Sequence, residues 1–236
     1  MEGSPNNQVV PSGAAPFPFW VRRGLAEKDD VLVREVVRHD IYRTREMPVP
    51  ETVLDVGANI GAFSALVRHR WPHAEVAAVE PDLENFRVLI ENTREGHITP
   101  FLGAVTYGPE RRTVHSVIGA AALNQGMSYV DRPGWKREVL HDGGVPHIER
   151  PCLCITLADV VLAMGWDEID VLKLDCEGGE FEILRSEDLP LARLVVGEWH
   201  GRERFREAWH SGAHQRFDLE VLHDDEIGIF RATRRM

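Results

Sequence analysis

The sequence predicts an α/β fold in which a largely parallel sheet is covered by helices on both faces. From residue 51 onward, short apolar runs alternate with segments of helical periodicity, which is the pattern of consecutive strand–helix–strand units. The chain has 236 residues, of which 43% are hydrophobic and 28% charged. These values are ordinary for a folded globular domain and exclude wholesale disorder.

Two segments precede the α/β pattern. Residues 1–24 are rich in proline and small residues and carry a short aromatic cluster, so we predict an N-terminal strap. Residues 25–39 have the apolar spacing of an amphipathic helix. We therefore expect two parts, the N-terminal strap and a domain over residues 25–236.

The individual elements follow from the same periodicities. Apolar runs predict buried strands, and 3.6-residue spacing predicts helices. The predicted strands are 52–56, 75–80, 98–105, 169–174 and 194–198, with a closing hairpin at 217–222 and 228–232. The predicted helices are 61–70, 83–93, 157–164 and 179–184. Residues 106–150 break the alternation and predict an insertion, or an extended hairpin region, over the sheet.

Charge and composition argue against several classes of function. The formal net charge is −11, and an acidic chain lacks the clustered Lys and Arg that a nucleic acid requires, so we expect no nucleic-acid partner. Three cysteines are too few for a disulfide framework and predict a reduced, cytoplasmic setting. No apolar run approaches the ~20 residues that cross a bilayer, and we predict no membrane contact and no signal peptide.

Residues 53–61 give the strongest indication of a ligand site. A predicted strand ends at Asp55, a turn contains Gly57, and a helix begins at Gly61. Glycine lets a ligand approach the backbone, and a helix start offers free N–H groups. The spacing is not the G-x-G-x-x-G of dinucleotide sites. The Asp55 carboxylate also repels phosphate and favours a ligand with a cationic end.

Glu80 ends the next predicted strand, 19 positions after Gly61. An acid at this place typically binds the ribose hydroxyls of an adenosine cofactor. A cationic centre together with a ribose indicates S-adenosylmethionine. The alternative, a capped turn followed by a surface acid, explains the order of these features less well.

Charged residues also follow two later strands. Lys173 and Asp175 share one face of their strand because side chains alternate, and Glu177 comes just beyond its carboxyl end. Burying such charges is costly, so we favour a functional role over an ion pair that only ties strands together. Glu198 and His200 end the next strand, and an imidazole is suited to accept a proton from a hydroxyl.

These blocks together resemble the FkbM family of S-adenosylmethionine-dependent methyltransferases. The resemblance rests on residues 55–61, 79–81, 85, 173–180, 198 and 200. It implies a Rossmann-like class I methyltransferase fold, with a seven-stranded, mostly parallel sheet and an antiparallel last strand. It also implies methylation of a hydroxyl on a sugar or specialised metabolite, as in natural product biosynthesis. The cofactor-binding residues that we expect are Asp55, Gly57, Asn59, Gly61, Glu80, Pro81, Asn85 and Ala104.

Methylation of a hydroxyl requires help in removing its proton, either from a base or from a metal. His200 is the first candidate base, and Asp175 or Glu177 is the second. Glu198 is a candidate for orienting His200, and Lys173 for holding an oxyanion or pairing with Asp175. Asp175, Glu177 and His200 are also a possible Mg²⁺ site.

The acceptor pocket is predicted to draw on the insertion, although a solvated surface loop explains that segment equally well. The polar residues that we expect there are Ser116, Asn124, Gln125, Ser128 and Tyr129. We expect a small-molecule acceptor, and the sequence does not indicate an oligomeric state.

Two other classes of function stay open at this point. A nicotinamide-dependent oxidoreductase on a Rossmann sheet is disfavoured by the absent third glycine and by Asp55. A non-catalytic binding domain of the same fold is disfavoured by the acid–base groups that accompany the glycine turn. Binding of S-adenosylhomocysteine rather than of a dinucleotide separates these hypotheses.

Overall fold

The computed structural model describes residues 9–94, 97–108, 111–117, 128–130 and 147–235. Its strands are β1 Val9–Pro11, β2 Trp20–Arg22, β3 Thr52–Val56, β4 Glu75–Glu80, β5 Ile98–Leu102, β6 Ala104–Val105, β7 Arg111–Val117, β8 Ser128–Val130, β9 His147–Ile155, β10 Ile169–Leu174, β11 Ala192–His200, β12 Phe217–His223 and β13 Ile227–Arg234. Its α-helices are α1 Ala26–Val33, α2 Ala62–Arg70, α3 Leu83–Thr93, α4 Leu157–Met164, α5 Glu180–Leu184 and α6 Arg202–Ser211.

Seven strands form the main sheet, in the order β12-β13-β11-β10-β3-β4-β5. Strand β13, the last in the chain, runs antiparallel to both of its neighbours, and the other pairings are parallel. The predicted α/β class and the antiparallel last strand are confirmed. Because the chain crosses over from β5 to β10 on the far side of β3, the carboxyl ends of β3 and β10 meet at a topological switch point, where such sheets bind ligands.

Both faces of the sheet are buried, as a parallel sheet requires. In β3 and β10, Leu54 and Leu172 face the core formed with α4, α5 and α6. Their neighbours Val53 and Val171 face the opposite core, which includes residues of α1 and α2. All four of these side chains are at most 1% exposed, which explains why the strands read as continuous apolar runs rather than as alternating ones.

One predicted strand is divided. Residues 98–105 form β5 in the main sheet and β6 in a second sheet, whose order is β6-β9-β7-β8. The break falls at Gly103, where a Cβ atom would lie 2.8 Å from the carbonyl oxygen of Leu153 in β9. The close approach of β9 therefore takes the chain out of the main sheet at this point.

The second sheet contains the described part of the predicted insertion. Strands β7 and β9 pair antiparallel over seven residues. Arg112 in β7 donates a 2.8 Å hydrogen bond to Glu182 in α5, which ties the second sheet to the main domain. Asn124 and Gln125 lie outside the described residues, as do the side chains of Ser116, Ser128 and Tyr129, so their predicted place in an acceptor pocket stays a prediction.

From residue 9 onward, the N-terminal strap packs on its own domain. Strands β1 and β2 form a small antiparallel sheet, and Phe19 and Val21 are buried in the core next to α1 and α2. Arg38 donates to the carbonyl oxygens of Gly13 and Ala14 and holds the loop between the two strands. Among the described helices, none has both the length and the apolar character needed to span a membrane.

Candidate active site

The glycine turn after β3 lies directly against the end of β10. Gly57 has a φ of 73°, and a Cβ atom there would lie 1.8 Å from the carbonyl oxygen of Asp175. A left-handed conformation and this close approach both require glycine. The Lys173 ammonium group donates a 2.8 Å hydrogen bond to the Gly57 carbonyl oxygen, so the two predicted motifs are joined at their backbones.

The rest of the turn leads into α2. Asn59 and Gly61 have φ angles of 52° and 90°, and Gly61 caps the helix. A Cβ atom at Gly61 would lie 2.8 Å from the Leu89 side chain of α3, which explains the second glycine. The Asn59 side-chain oxygen is buried and accepts no hydrogen bond from any described residue. An acceptor in this state is available to a ligand.

Glu80 is buried at the end of β4, the strand end at which the sequence places it. One carboxylate oxygen accepts from the Asn59 backbone at 2.8 Å, and the other accepts from the Asp82 backbone at 2.9 Å and the Asn85 amide at 3.3 Å. Burial raises the pKa of Glu80 to about 7, although these hydrogen bonds oppose the shift.

The remaining cofactor candidates surround Glu80. Pro81 is half-buried and directly follows it, and Asn85 is buried in the first turn of α3. Ala104 is buried in β6, next to Gly103, whose backbone N–H donates to the Glu80 carbonyl oxygen at 3.1 Å. Pro81, Asn85 and Ala104 are thus brought together on one side of the glycine turn.

Lys173 is sandwiched between two carboxylates. Its ammonium nitrogen lies 3.2 Å from Asp55 and 3.6 Å from Asp175. Burial lowers the pKa of Lys173, but the charges of the two carboxylates outweigh this effect and raise it above its ordinary value. The Ser64 hydroxyl donates to Asp55 at 2.7 Å. Since Asp55 is fully buried, its charge is compensated within the protein.

Tyr42 also belongs to this site and was not predicted from the sequence. Its hydroxyl donates to the Asp175 carboxylate at 3.1 Å, and its ring packs edge-on against Phe63. Tyr42 is 1% exposed and lies in a turn whose residues Asp40 and Arg43 have φ angles of 51° and 50°. Such strained conformations cluster at functional sites. No periodicity or motif in residues 40–46 marks the tyrosine as a partner of Asp175.

His200 lies among carboxylates. Its Nε2 atom lies 3.4 Å from Glu177 and 3.5 Å from Glu198, and its Nδ1 atom lies 3.4 Å from Glu180. Glu180 is fully buried and also accepts a 2.9 Å hydrogen bond from the His200 backbone. Glu180 lies within the motif at residues 173–180, but no spacing in that motif indicates its contact with His200.

These contacts raise the pKa values of two groups. Burial lowers the pKa of His200, but its interaction with Glu180 and the charge of Glu177 outweigh burial and raise it to about 10. Burial, followed by the charge of Asp175, raises the pKa of Glu198 to about 8, although the charge of His200 opposes the shift. Both shifts favour the protonated forms at neutral pH, and the larger value, that of His200, opposes the role of a resting general base.

Among the described residues, Asp175, Glu198 and His200 come together as a group of ligand-type side chains. Their side-chain donor atoms all lie within 4.8 Å of one another. Glu177, which the sequence suggested in place of Glu198, is connected to this group through His200. The described residues thus place a cluster of acid–base groups beside the glycine turn, with Lys173 between the two.

Comparisons with known proteins identify the family. Residues 55–230 match the model of the family described as Methyltransferase FkbM domain. The chain is 28% identical to the AMB antimetabolite synthetase AmbE of Pseudomonas aeruginosa over 85% of this chain, a stretch that spans 11% of AmbE. It is 25% identical to Methyltransferase sdnD of Sordaria araneosa over 71% of this chain and 73% of that protein.

Solved structures give a more distant similarity. The crystal structure of Methyltransferase FkbM from Methylobacillus flagellatus is 13% identical, with a TM-score of 0.49, over 81% of this chain and 46% of that chain.

Proposed function

The chain belongs to the FkbM methyltransferase family, and from this we propose that it transfers the methyl group of S-adenosylmethionine to a hydroxyl of a sugar or a specialised metabolite. One observation supports a hydroxyl as the acceptor. Asp175, Glu198 and His200 lie beside the glycine turn, with their ligand atoms within 4.8 Å of one another. Methylation of an alcohol oxygen needs a proton acceptor at the attacking atom, and this cluster supplies one.

The residues around the glycine turn fit S-adenosylmethionine. The cofactor supplies a methyl group on a positively charged sulfur. Glu80 offers a buried carboxylate for ribose hydroxyls, and the Asn59 side-chain oxygen is a buried acceptor without a donor among the described residues. We assign the binding contacts to Gly57, Asn59, Gly61, Glu80, Pro81, Asn85 and Ala104. Asp55 acts through Lys173, which holds the Gly57 carbonyl oxygen.

We assign the removal of the proton from the acceptor hydroxyl to a carboxylate of the cluster. Glu198, whose pKa is raised to about 8, is matched to this task because the best general base titrates near the operating pH. Asp175 is next, held by Tyr42 and Lys173. His200, the first choice from sequence, has a pKa raised to about 10, so we assign it the role of a cation that orients Glu198 and Glu177.

A divalent cation is the second way to lower the pKa of the hydroxyl. Asp175 and Glu198 offer the oxygen ligands that Mg²⁺ prefers, with His200 as the third ligand. The donor set fits in part, because His200 and Glu198, whose pKa values are raised to about 10 and about 8, both have to lose a proton before they can bind a metal. A requirement for Mg²⁺ therefore predicts proton release on metal binding and loss of turnover in EDTA.

The acceptor class is supported by the relatives and by composition. The name of AmbE places that relative in the synthesis of an antimetabolite, in keeping with a specialised metabolite here. A net charge of −11 favours a small molecule over a nucleic acid. Cys152, Cys154 and Cys176, all among the described residues, form no disulfide, in keeping with the cytoplasmic setting that we propose.

Calorimetric titration with S-adenosylmethionine and S-adenosylhomocysteine tests the cofactor assignment, with NAD⁺ as the comparison ligand. We expect micromolar binding of the two adenosyl ligands and none of NAD⁺. Glu80→Ala removes the ribose-binding carboxylate and is expected to abolish binding. Glu91→Ala, on the same helix as Asn85 but paired at the surface with Arg94, is the matched control and is expected to bind normally.

Screening of hydroxyl and amine acceptors by mass spectrometry then tests oxygen methylation. Turnover with a hydroxyl acceptor that falls at least 100-fold in Glu198→Gln supports the proposed base. Normal turnover in this variant contradicts it. Binding of NAD⁺ in place of the adenosyl ligands contradicts the cofactor assignment. A non-catalytic domain is favoured if the protein binds the cofactor normally but turns over no acceptor. In that case Asp175→Asn and His200→Gln should leave the affinity for the cofactor unchanged.

A further inference from the structure

We propose that Arg22, in the N-terminal strap, is a positioning residue that orients Asn85 and thereby completes the site around Glu80. The proposal rests on the proposed binding of S-adenosylmethionine at Glu80. Arg22 lies outside residues 55–230, which match the family model. According to this proposal, a residue of the proline-rich N-terminal strap affects the affinity for the cofactor.

Arg22 is fixed in one orientation by Asp29 of α1. The Arg22 backbone N–H and Nε donate to one Asp29 oxygen at 2.8 and 3.0 Å, and a terminal nitrogen donates to the other oxygen at 2.6 Å. The side chains are 16% and 4% exposed. A planar guanidinium group held in this way has one remaining edge whose direction is set.

That remaining edge meets Asn85. The second terminal nitrogen of Arg22 donates to the Asn85 side-chain oxygen at 2.7 Å. An amide has an acceptor end and a donor end, while arginine can only donate and an ionised carboxylate can only accept. With its oxygen on Arg22, Asn85 presents its NH₂ group to Glu80, at 3.3 Å. Arg22 thus decides which end of this 5% exposed amide faces the carboxylate.

A second set of contacts fastens the same strand of the strap. The Asn92 side chain of α3 accepts from the Trp20 backbone N–H at 2.7 Å and donates to the Trp20 carbonyl oxygen at 2.9 Å. It also donates to the Ile60 carbonyl oxygen in the glycine turn at 2.8 Å. Strand β2 is therefore joined through α3 to both Glu80 and the glycine turn, and an ordered strap and a formed cofactor site support each other.

The test measures cofactor affinity calorimetrically in four variants. Arg22→Met keeps the aliphatic stem but removes the donors, and we expect the Kd for S-adenosylmethionine to rise about tenfold, as for the loss of one well-placed hydrogen bond. Asn85→Leu, which leaves the Arg22–Asp29 pair intact, is expected to raise the Kd by a similar factor. Arg94→Met breaks an exposed ion pair with Glu91 and leaves the contacts of the strap intact; it is the matched control, expected to change the Kd less than about twofold.

The double variant Arg22→Met/Asn85→Leu separates positioning from a general loss of stability. If Arg22 acts through Asn85, the double variant binds about as well as Asn85→Leu alone, because the shared contact is lost once. If the double variant instead raises the Kd by the product of the two single-variant factors, the proposal is wrong. Normal affinity in a folded Arg22→Met protein also overturns it. If Arg22→Met does not fold, Arg22→Lys takes its place, because lysine keeps the charge but lacks the second donor edge that meets Asn85, and the same outcomes decide. Failure of the wild-type protein to bind the cofactor contradicts the proposed function instead.

Discussion

Lys173 in β10 lies directly opposite Asp55 in β3, and its ammonium nitrogen is 3.2 Å from the Asp55 carboxylate. The two residues belong to different sequence motifs, and parallel pairing of the two strands brings them into register. Both are buried, with exposed side-chain fractions of 5% and 0%. The same ammonium group holds the Gly57 carbonyl oxygen, so one ion pair sets the geometry of the glycine turn.

Lys173→Met is expected to lower the free energy of unfolding by about 3–5 kcal/mol, because Asp55 then remains as an uncompensated buried charge. The measurement is urea denaturation at neutral pH. Lys173→Met/Asp55→Asn removes both charges and is expected to be more stable than Lys173→Met alone. The surface variant Arg87→Met, which breaks an exposed ion pair with Glu84, is the control and is expected to change stability by less than about 0.5 kcal/mol. A double variant that is less stable than Lys173→Met contradicts this account.

Motifs along the chain predicted the parts of the site that occupy strand ends. The carboxyl ends of β3, β4, β10 and β11 carry Asp55, Glu80, Asp175 and Glu198, because parallel strands must end at one edge of the sheet. The fold class and the positions of these carboxylates could therefore be predicted from the sequence.

The residues that sequence analysis missed make contacts over long separations. Tyr42 reaches Asp175 across 133 positions and Arg22 reaches Asn85 across 63. Their own segments carry no periodicity that predicts these partners. The raised pKa of His200 was not predicted for a similar reason, since it depends on Glu177 and Glu180 lying close to the end of β11.

Alanine substitutions at Gly57 and Gly165 are expected to lower the free energy of unfolding by different amounts. Gly57→Ala introduces a left-handed alanine and a Cβ atom 1.8 Å from the Asp175 carbonyl oxygen, so we expect a loss well above the about 1–2 kcal/mol of left-handed strain alone. Gly165, at a φ of 70°, has open space within 4 Å of the point where a Cβ atom would lie, and Gly165→Ala is expected to show the strain alone. Thermal unfolding of both variants checks the order, and equal losses contradict a steric role for Gly57.

Tyr42→Phe is expected to slow methyl transfer without weakening cofactor binding. The variant keeps the ring packed against Phe63 but removes the hydroxyl that donates to Asp175 at 3.1 Å, a loss of about tenfold in kcat for one hydrogen bond at the reacting groups. The measurements are kcat with an acceptor found by screening and calorimetric affinity for S-adenosylhomocysteine. Tyr107→Phe, at a half-exposed tyrosine, is the control. A tenfold loss of cofactor affinity with unchanged kcat contradicts this role.

The free energy of unfolding is expected to fall as pH rises from about 5 to 9. Glu80, Glu198 and His200 have pKa values raised from 4.5 to about 7, from 4.5 to about 8 and from 6.5 to about 10. Each group binds its proton more tightly in the folded chain than in the unfolded chain. Its stabilising effect is therefore complete below the ordinary pKa and lost as pH rises through the raised pKa.

Urea denaturation of the ligand-free protein at about pH 5.5, 7 and 8.5 measures this fall, whose slope is at most about 1.4 kcal/mol per pH unit for each proton. Glu198→Gln removes one titrating group and is expected to flatten the curve between its ordinary and raised pKa values, 4.5 and about 8. Glu46→Gln, at an exposed carboxylate, should leave the curve unchanged. Stability that rises with pH over this range contradicts the raised pKa values, and with them the assignment of Glu198 as the base.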